Sequence, residues 1–352
     1  MKDFISEFGL TFDQTLLLFS LERQIINMDI IHSQADGKRD DAARKQQWLN
    51  SWDMHINDFL NHLNKKEDEL PTTLNIAKID SKKMFDTILQ NEESATKIKA
   101  WRYLILLECT LFTPYYSFDN SANTKEGVID KVAKIFNGLA LDKDAQKTSL
   151  VQVSLLLGID IKYVDIFRKR YEEAIRALSG FWKKVLLTSG VGMIVALAVV
   201  AVFLTPIAVA FAAPGLYGAA AFSAGMAALG GGAVAAGGFG MAGGFAVLIG
   251  GAIILGGSTG AGIGTLASAS PQMVLTELAK IEVVLREIIL GIQRDTKLMQ
   301  SIILQLSNNM NEMQTELAKL KFEEKKNKEK IKNLEDSIEY MKKAIDEFTN
   351  MK

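Results

Sequence analysis

Residues 185–205 read VLLTSGVGMIVALAVVAVFLT: twelve Val, Leu, Ile or Phe side chains in 21 positions, and no charge. A straight helix of that length spans about 31 Å, which matches the hydrocarbon core of a bilayer. At about −0.3 to −0.6 kcal/mol each near a helix centre, the twelve side chains, Val185, Ile194, Val199 and Phe203 among them, together contribute roughly −4 to −7 kcal/mol toward insertion. Phe181, Trp182, Lys183 and Lys184 stand immediately before this span, as the aromatic and basic anchor of a membrane interface does.

The apolar character extends well beyond this first span. All 92 residues of 185–276 lack Asp, Glu, Lys, Arg and His, in a chain of 352 residues that carries 40 basic and 41 acidic side chains. Pro206 and Pro214 permit a kink or a turn after the first span. Residues 216–236 hold only four large aliphatic or Phe side chains among many Gly and Ala, whereas 245–255 recover with Phe245, Ile249 and Ile254. A weakly apolar middle crosses a bilayer only by packing on its neighbours. Gly240 with Gly244, Gly256 with Gly260, and Gly260 with Gly264 have the four-residue spacing that lets helix backbones meet. The expectation is two to four crossings over 181–270. Two other readings stay open: a buried hydrophobic hairpin in a soluble protein, and a segment sheltered in a soluble form that inserts later.

The charged parts on both sides read as helices, with no period-2 alternation. Thr11 and Gln14 have the capping-box spacing ahead of Leu16, Leu17, Phe19, Leu21, Ile25 and Met28, and Asp36-Gly37 closes that helix. A second helix over residues 41–65 buries Trp48, Trp52, Ile56, Phe59 and Leu63. A third runs from Ser81 to Phe112 unless Asn91 interrupts it; residues 113–124 form a loop; further helices cover 125–137, 144–157 and 161–178. Beyond the uncharged block, Leu278, Ile281, Leu285, Ile288 and Ile292 step by three and four, followed by Met299, Ile302 and Leu306. Met310, Met313, Leu317 and Leu320 resume one position out of phase, and Ile331, Leu334, Ile338, Met341, Ile345 and Phe348 give a heptad seam. These fit either amphipathic helices packing on the N-terminal bundle or a coiled-coil stalk through which the chain forms a homo- or hetero-oligomer. The fold class expected is all-α: a helical bundle over 1–180, a Gly/Ala-rich hydrophobic transmembrane segment over 181–270, and long coiled-coil-like helices over 271–352.

Composition excludes several functions. With basic and acidic side chains nearly equal, there is no electrostatic footprint for nucleic acid. Cys109 is the single cysteine, which excludes an internal disulfide or a thiolate metal cluster and reads as a core thiol. Gly238, Gly240 and Gly243 match the letters of a dinucleotide fingerprint, but no strand precedes them and the first acid that follows is Glu277, so no nucleotide is expected. His55 and His62 share a helix face with Asp58 and read as surface histidines rather than metal ligands. No nucleophile, base and orienting group cluster, so no enzyme activity, cofactor or metal is expected. The first fifteen residues, with Lys2, Asp3, Glu7 and Asp13, do not resemble a Sec signal peptide, so the expectation is cytoplasmic synthesis, membrane association, and release or export of a soluble form. Arg168, Lys169, Arg170, Arg176, Lys183 and Lys184 before the block place residues 1–184 on the cytoplasmic side if insertion occurs from there.

Two resemblances accompany this reading. Ala35-Asp36-Gly37 with Asp40-Asp41, and Leu106-Leu107-Glu108 through Asp119, Glu126, Val132, Ile135 and Leu139, resemble the helical TerB (tellurite-resistance) family over about 130 residues. That likeness implies helix pairs with Asp-Gly turns followed by an acid; the second turn here is longer and lacks Asp-Gly. The whole layout, a helical bundle, a central hydrophobic hairpin and long C-terminal helices, resembles the architecture of cytolysin-A-type α-pore-forming toxins, which implies oligomerisation and permeabilisation of a lipid membrane. The alternative is a permanently embedded scaffold or stress-response protein whose cytoplasmic helices recruit partners.

Overall fold

The computed structural model describes residues 10–63, 74–92, 99–115, 136, 138–179, 271–322 and 324–351. Among these the fold is all-helical, with no strand, as the periodicity predicts. No described helix is long and apolar enough to cross a membrane. The uncharged block up to residue 270, the helix expected over 125–137 (apart from Phe136) and most of the loop expected over 113–124 lie outside the described residues. The chain divides into two compact units, drawn among the described residues from 11–164 and from Leu10 with 165–179 and 271–351.

The N-terminal unit is built around α1 (Phe12–Ala35). Its start follows from two reciprocal bonds: the Gln14 N–H donates to Thr11 Oγ1 at 3.3 Å, and the Thr11 N–H to Gln14 Oε1 at 2.9 Å. Its end follows from Gly37, whose φ of +76° lets the Lys38 N–H turn back to the Ser33 carbonyl at 2.9 Å. Between these caps α1 is apolar on nearly every side, burying Leu16, Leu17, Phe19, Leu21, Ile25 and Ile26, and so occupies the middle of the unit. The second helix, α2 (Arg39–Leu63), lays Trp48, Leu49, Trp52, Ile56 and Leu60 against it, with the two indoles stacked at 6.4 Å. A two-pronged pair between Arg23 and Asp53, at 2.8 and 2.9 Å, fastens the two helices.

A short 3₁₀ turn (Ile76–Lys78) leads into α3 (Ser81–Gln90), capped by the Asp80 side chain at the Lys83 N–H. Asn91 does interrupt the long helix: α3 ends there and α4 (Ala100–Leu111) begins afresh. Buried side chains cover α4 almost from end to end, including Cys109. α5 (Lys143–Leu157) opens on Asp142 and closes on Gly158, left-handed at φ +67°. α6 (Lys162–Ser179) follows and runs past the boundary between the units.

The other unit contains α7 (Pro271–Val283), α8 (Thr296–Lys321) and α9 (Glu324–Thr349), the last two packed on each other as a helical hairpin. Three expectations are corrected here. First, the regular helix expected through Ile292 widens into a π-helix over Val284–Gln293; it ends at Arg294, left-handed at φ +59°, where the Asp295 N–H reaches the Ile289 carbonyl at 3.0 Å. Second, the phase break after Leu306 is absent: the buried line runs Ile302, Leu306, Asn309, Met313, with polar Asn309 carrying the seam. Third, on α9 Ile331, Leu334, Met341 and Phe348 of the heptad seam are buried as expected, but Ile338 and Ile345 are only half-buried, and Ser337 and Ala344 lie on the buried line instead. Small Ser337 and Ala344 let the helices approach more closely than two isoleucines would.

Candidate functional site

The residues assigned to membrane insertion all lie outside the described residues. This holds for the anchor Trp182, Lys183 and Lys184, and for Val185, Ile194, Val199 and Phe203 of the first span. It holds equally for Pro206, Pro214, Phe245, Ile249 and Ile254, and for the spaced glycines Gly240, Gly244, Gly256, Gly260 and Gly264. The glycine fingerprint at 238–243 lies there too. The close approach of helix backbones expected from the spacings of Gly240 and Gly244, Gly256 and Gly260, and Gly260 and Gly264 therefore stays an expectation of the sequence. His55, Asp58 and His62 fall on α2, with their side chains likewise outside the description. The described residues bring together a different set at the C-terminal end of α1.

Asp29, His32, Ser33 and Asp36 recur on α1 and its C-cap at i, i+3, i+4 and i+7, which places them on one face. That face is the polar end of an otherwise apolar helix. Its deepest member is Asp29, fully buried. Asp29 Oδ2 lies 2.6 Å from Lys45 Nζ and accepts the Tyr115 hydroxyl, while Oδ1 accepts the Asp142 backbone N–H at 2.8 Å. Lys45, also buried, donates to Ser33 Oγ at 3.0 Å and lies 5.3 Å from the centre of the Tyr115 ring. Three donors converging on one buried carboxylate compensate the loss of its water. Tyr115 has a left-handed backbone at φ +75°, and its ring packs edge-on against Trp48 at 5.4 Å. Burial, then the neighbouring Asp29, pushes the Tyr115 phenol far above its ordinary range, so it remains a donor.

Above this base sits a second layer closer to solvent. His32 Nδ1 faces Asp142 Oδ1 at 3.4 Å and Asp36 Oδ2 at 3.7 Å. One nitrogen and two carboxylate oxygens therefore lie within 4.8 Å of one another, a group able to hold a metal ion. Asp142 Oδ1 also caps α5, accepting from the Asp144 N–H at 2.9 Å and the Ala145 N–H at 3.2 Å. Those bonds, Ala145's first, hold the Asp142 carboxyl below its usual range. Lys38 Nζ lies 3.1 Å from Asp36 Oδ2, and its own proton affinity is raised by that carboxylate.

Sequence reasoning passed over this site. Its one available signal was the DIIHSQAD spacing of residues 29–36, a polar stripe closing an apolar helix. Cys109 is a core thiol as expected: burial, then Glu22 and Glu108, pushes it well above its usual range and makes it a poor nucleophile. No protein-family model, curated protein or solved structure matches the chain.

Proposed function

We propose that the protein inserts into a lipid bilayer and perturbs or permeabilises it, as a pore-forming toxin or toxin component does. The carrying observation is the uninterrupted block of 92 residues without a charge, bounded on both sides by charged helices. A domain of ordinary size has no interior large enough to need so long an uncharged stretch. Residues 185–205 supply enough transfer free energy to enter the hydrocarbon core, and the four-residue glycine spacings let the weaker segments follow by close packing. The C-terminal helices form a homo- or hetero-oligomer in this reading.

Leakage of a trapped dye from liposomes tests it. Purified full-length protein is expected to release the dye. Ile194→Lys with Val199→Lys, each costing about 2.5–3.5 kcal/mol at a helix centre, is expected to abolish release. Tight binding without leakage eliminates permeabilisation. Recovery only in detergent, never in a soluble fraction, assigns the protein instead as a permanently embedded scaffold that recruits partners.

A further inference from the structure

We infer that His32, Asp36 and Asp142 form a binding site for one divalent first-row transition cation, of which zinc is the test case. The inference is independent of the membrane reading.

Two observations carry it. His32 Nδ1 is shielded from solvent and has no hydrogen-bond partner among the described residues, although two carboxylate oxygens face it. At 3.4 and 3.7 Å those oxygens stand within ion-pair reach of it without forming a hydrogen bond. They are at the separation that two ligands of one metal adopt: atoms each about 2.0–2.2 Å from a tetrahedral zinc lie about 3.4 Å apart. The spacing thus fits a shared cation when the imidazole is neutral.

The ligands are also held in place from beneath. Asp142 is pinned by its backbone N–H to buried Asp29, and Asp29 is locked by Lys45 and Tyr115. His32 and Asp36 are fixed one helical turn apart at the end of α1. Outer partners that orient ligands in this way are what a metal site requires. The donor set decides the class of ion: an imidazole nitrogen favours zinc and its neighbours over magnesium or calcium, which take oxygen ligands. Two carboxylates balance the ion's double charge, and the competing cation, Lys38, is half-exposed on a flexible stem and leaves at little cost. A bound ion would join the end of α1 to the start of α5.

The test is calorimetric titration of zinc chloride into chelator-stripped full-length protein, with magnesium and calcium chloride in parallel. One zinc per chain is expected at this site, together with a rise in Tm. His32→Ala and Asp36→Asn are each expected to weaken that binding at least about tenfold while far-UV circular dichroism stays unchanged. Lys38→Ala is expected to tighten it by about threefold, which loss of a purely structural ion pair would not do. With cobalt as the probe, the visible bands are expected to change in His32→Ala. Absence of zinc binding, zinc binding unaffected by His32→Ala and Asp36→Asn, or equal affinity for magnesium overturns the assignment. Should His32→Ala fail to fold, Asp36→Asn alone decides.

Discussion

Asp29 takes part in three bonds whose partners are far away in the chain: Lys45 sixteen residues on, Tyr115 eighty-six and Asp142 one hundred and thirteen. Replacing it with Asn would leave the Lys45 ammonium buried beside a neutral group, at a cost of about 3–5 kcal/mol. Tyr115→Phe, which removes one donor to that charged carboxylate, is expected to cost about 1.5–3 kcal/mol. Urea unfolding of the two variants measures both. Glu282 carries the opposite kind of effect. Burial, the largest cause, raises its carboxyl above the usual 4.5 even though Arg286 lies 3.4 Å away. The folded state thus holds this proton more tightly than the unfolded chain does. Its stabilising contribution is full below pH 4.5 and is lost as pH rises through the folded value. Glu282→Gln is expected to flatten that decline, seen as a urea midpoint that falls less than wild type between acid and neutral pH. None of these groups could have been singled out from sequence, because burial and distant partners, rather than local spacing, give them their properties.

Local chemistry left more of a trace in the elements. The capping box at Thr11, the glycine stop at Gly37 and the break at Asn91 each depend on residues within a few positions, and each was legible. The seam of the C-terminal hairpin was legible only in part: Ile302, Leu306, Leu334, Met341 and Phe348 are buried as their spacing predicts. Apolar spacing drew it through Ile338, Ile345 and a phase-shifted Met310, whereas packing chose Ser337, Ala344 and Asn309, which rank low on hydrophobicity alone. The π-helix was hidden for a related reason: five apolar residues at three-and-four spacing satisfy an ordinary helix equally well. Only Gly291, where a Cβ would come within 3.2 Å of the Arg286 carbonyl, marks the altered turn. Asn309 is fully buried and accepts from Gln305 Nε2 at 3.0 Å. A polar residue in such a seam costs stability and fixes the register in which helices meet. Asn309→Leu is therefore expected to raise stability by about 1 kcal/mol while relaxing that register. The paired signature is a higher Tm together with faster amide exchange along α8; a lower Tm would contradict the assignment.

At the scale of the whole molecule, the legible feature is the separation of charge from apolar sequence. Periodicity on both sides of the uncharged block identified the all-α class, because 3.6-residue repeats in charged helices are a local and repeated signal. The same separation determines how the protein should respond to salt. Its formal net charge is −1, so no long-range attraction draws it to an anionic surface. If residues 185–265 carry binding, the driving force is burial of apolar surface, which screening leaves intact. Flotation with liposomes is therefore expected to recover as much protein at 1 M sodium chloride, where the Debye length is about 3 Å, as at 0.1 M, where it is about 10 Å. Recovery should also be indifferent to exchanging a neutral lipid for an anionic one. A protein that binds through basic side chains would instead come off the vesicles at high salt and demand anionic lipid, and that outcome would move the membrane contact from the uncharged block to the lysines of the flanking helices.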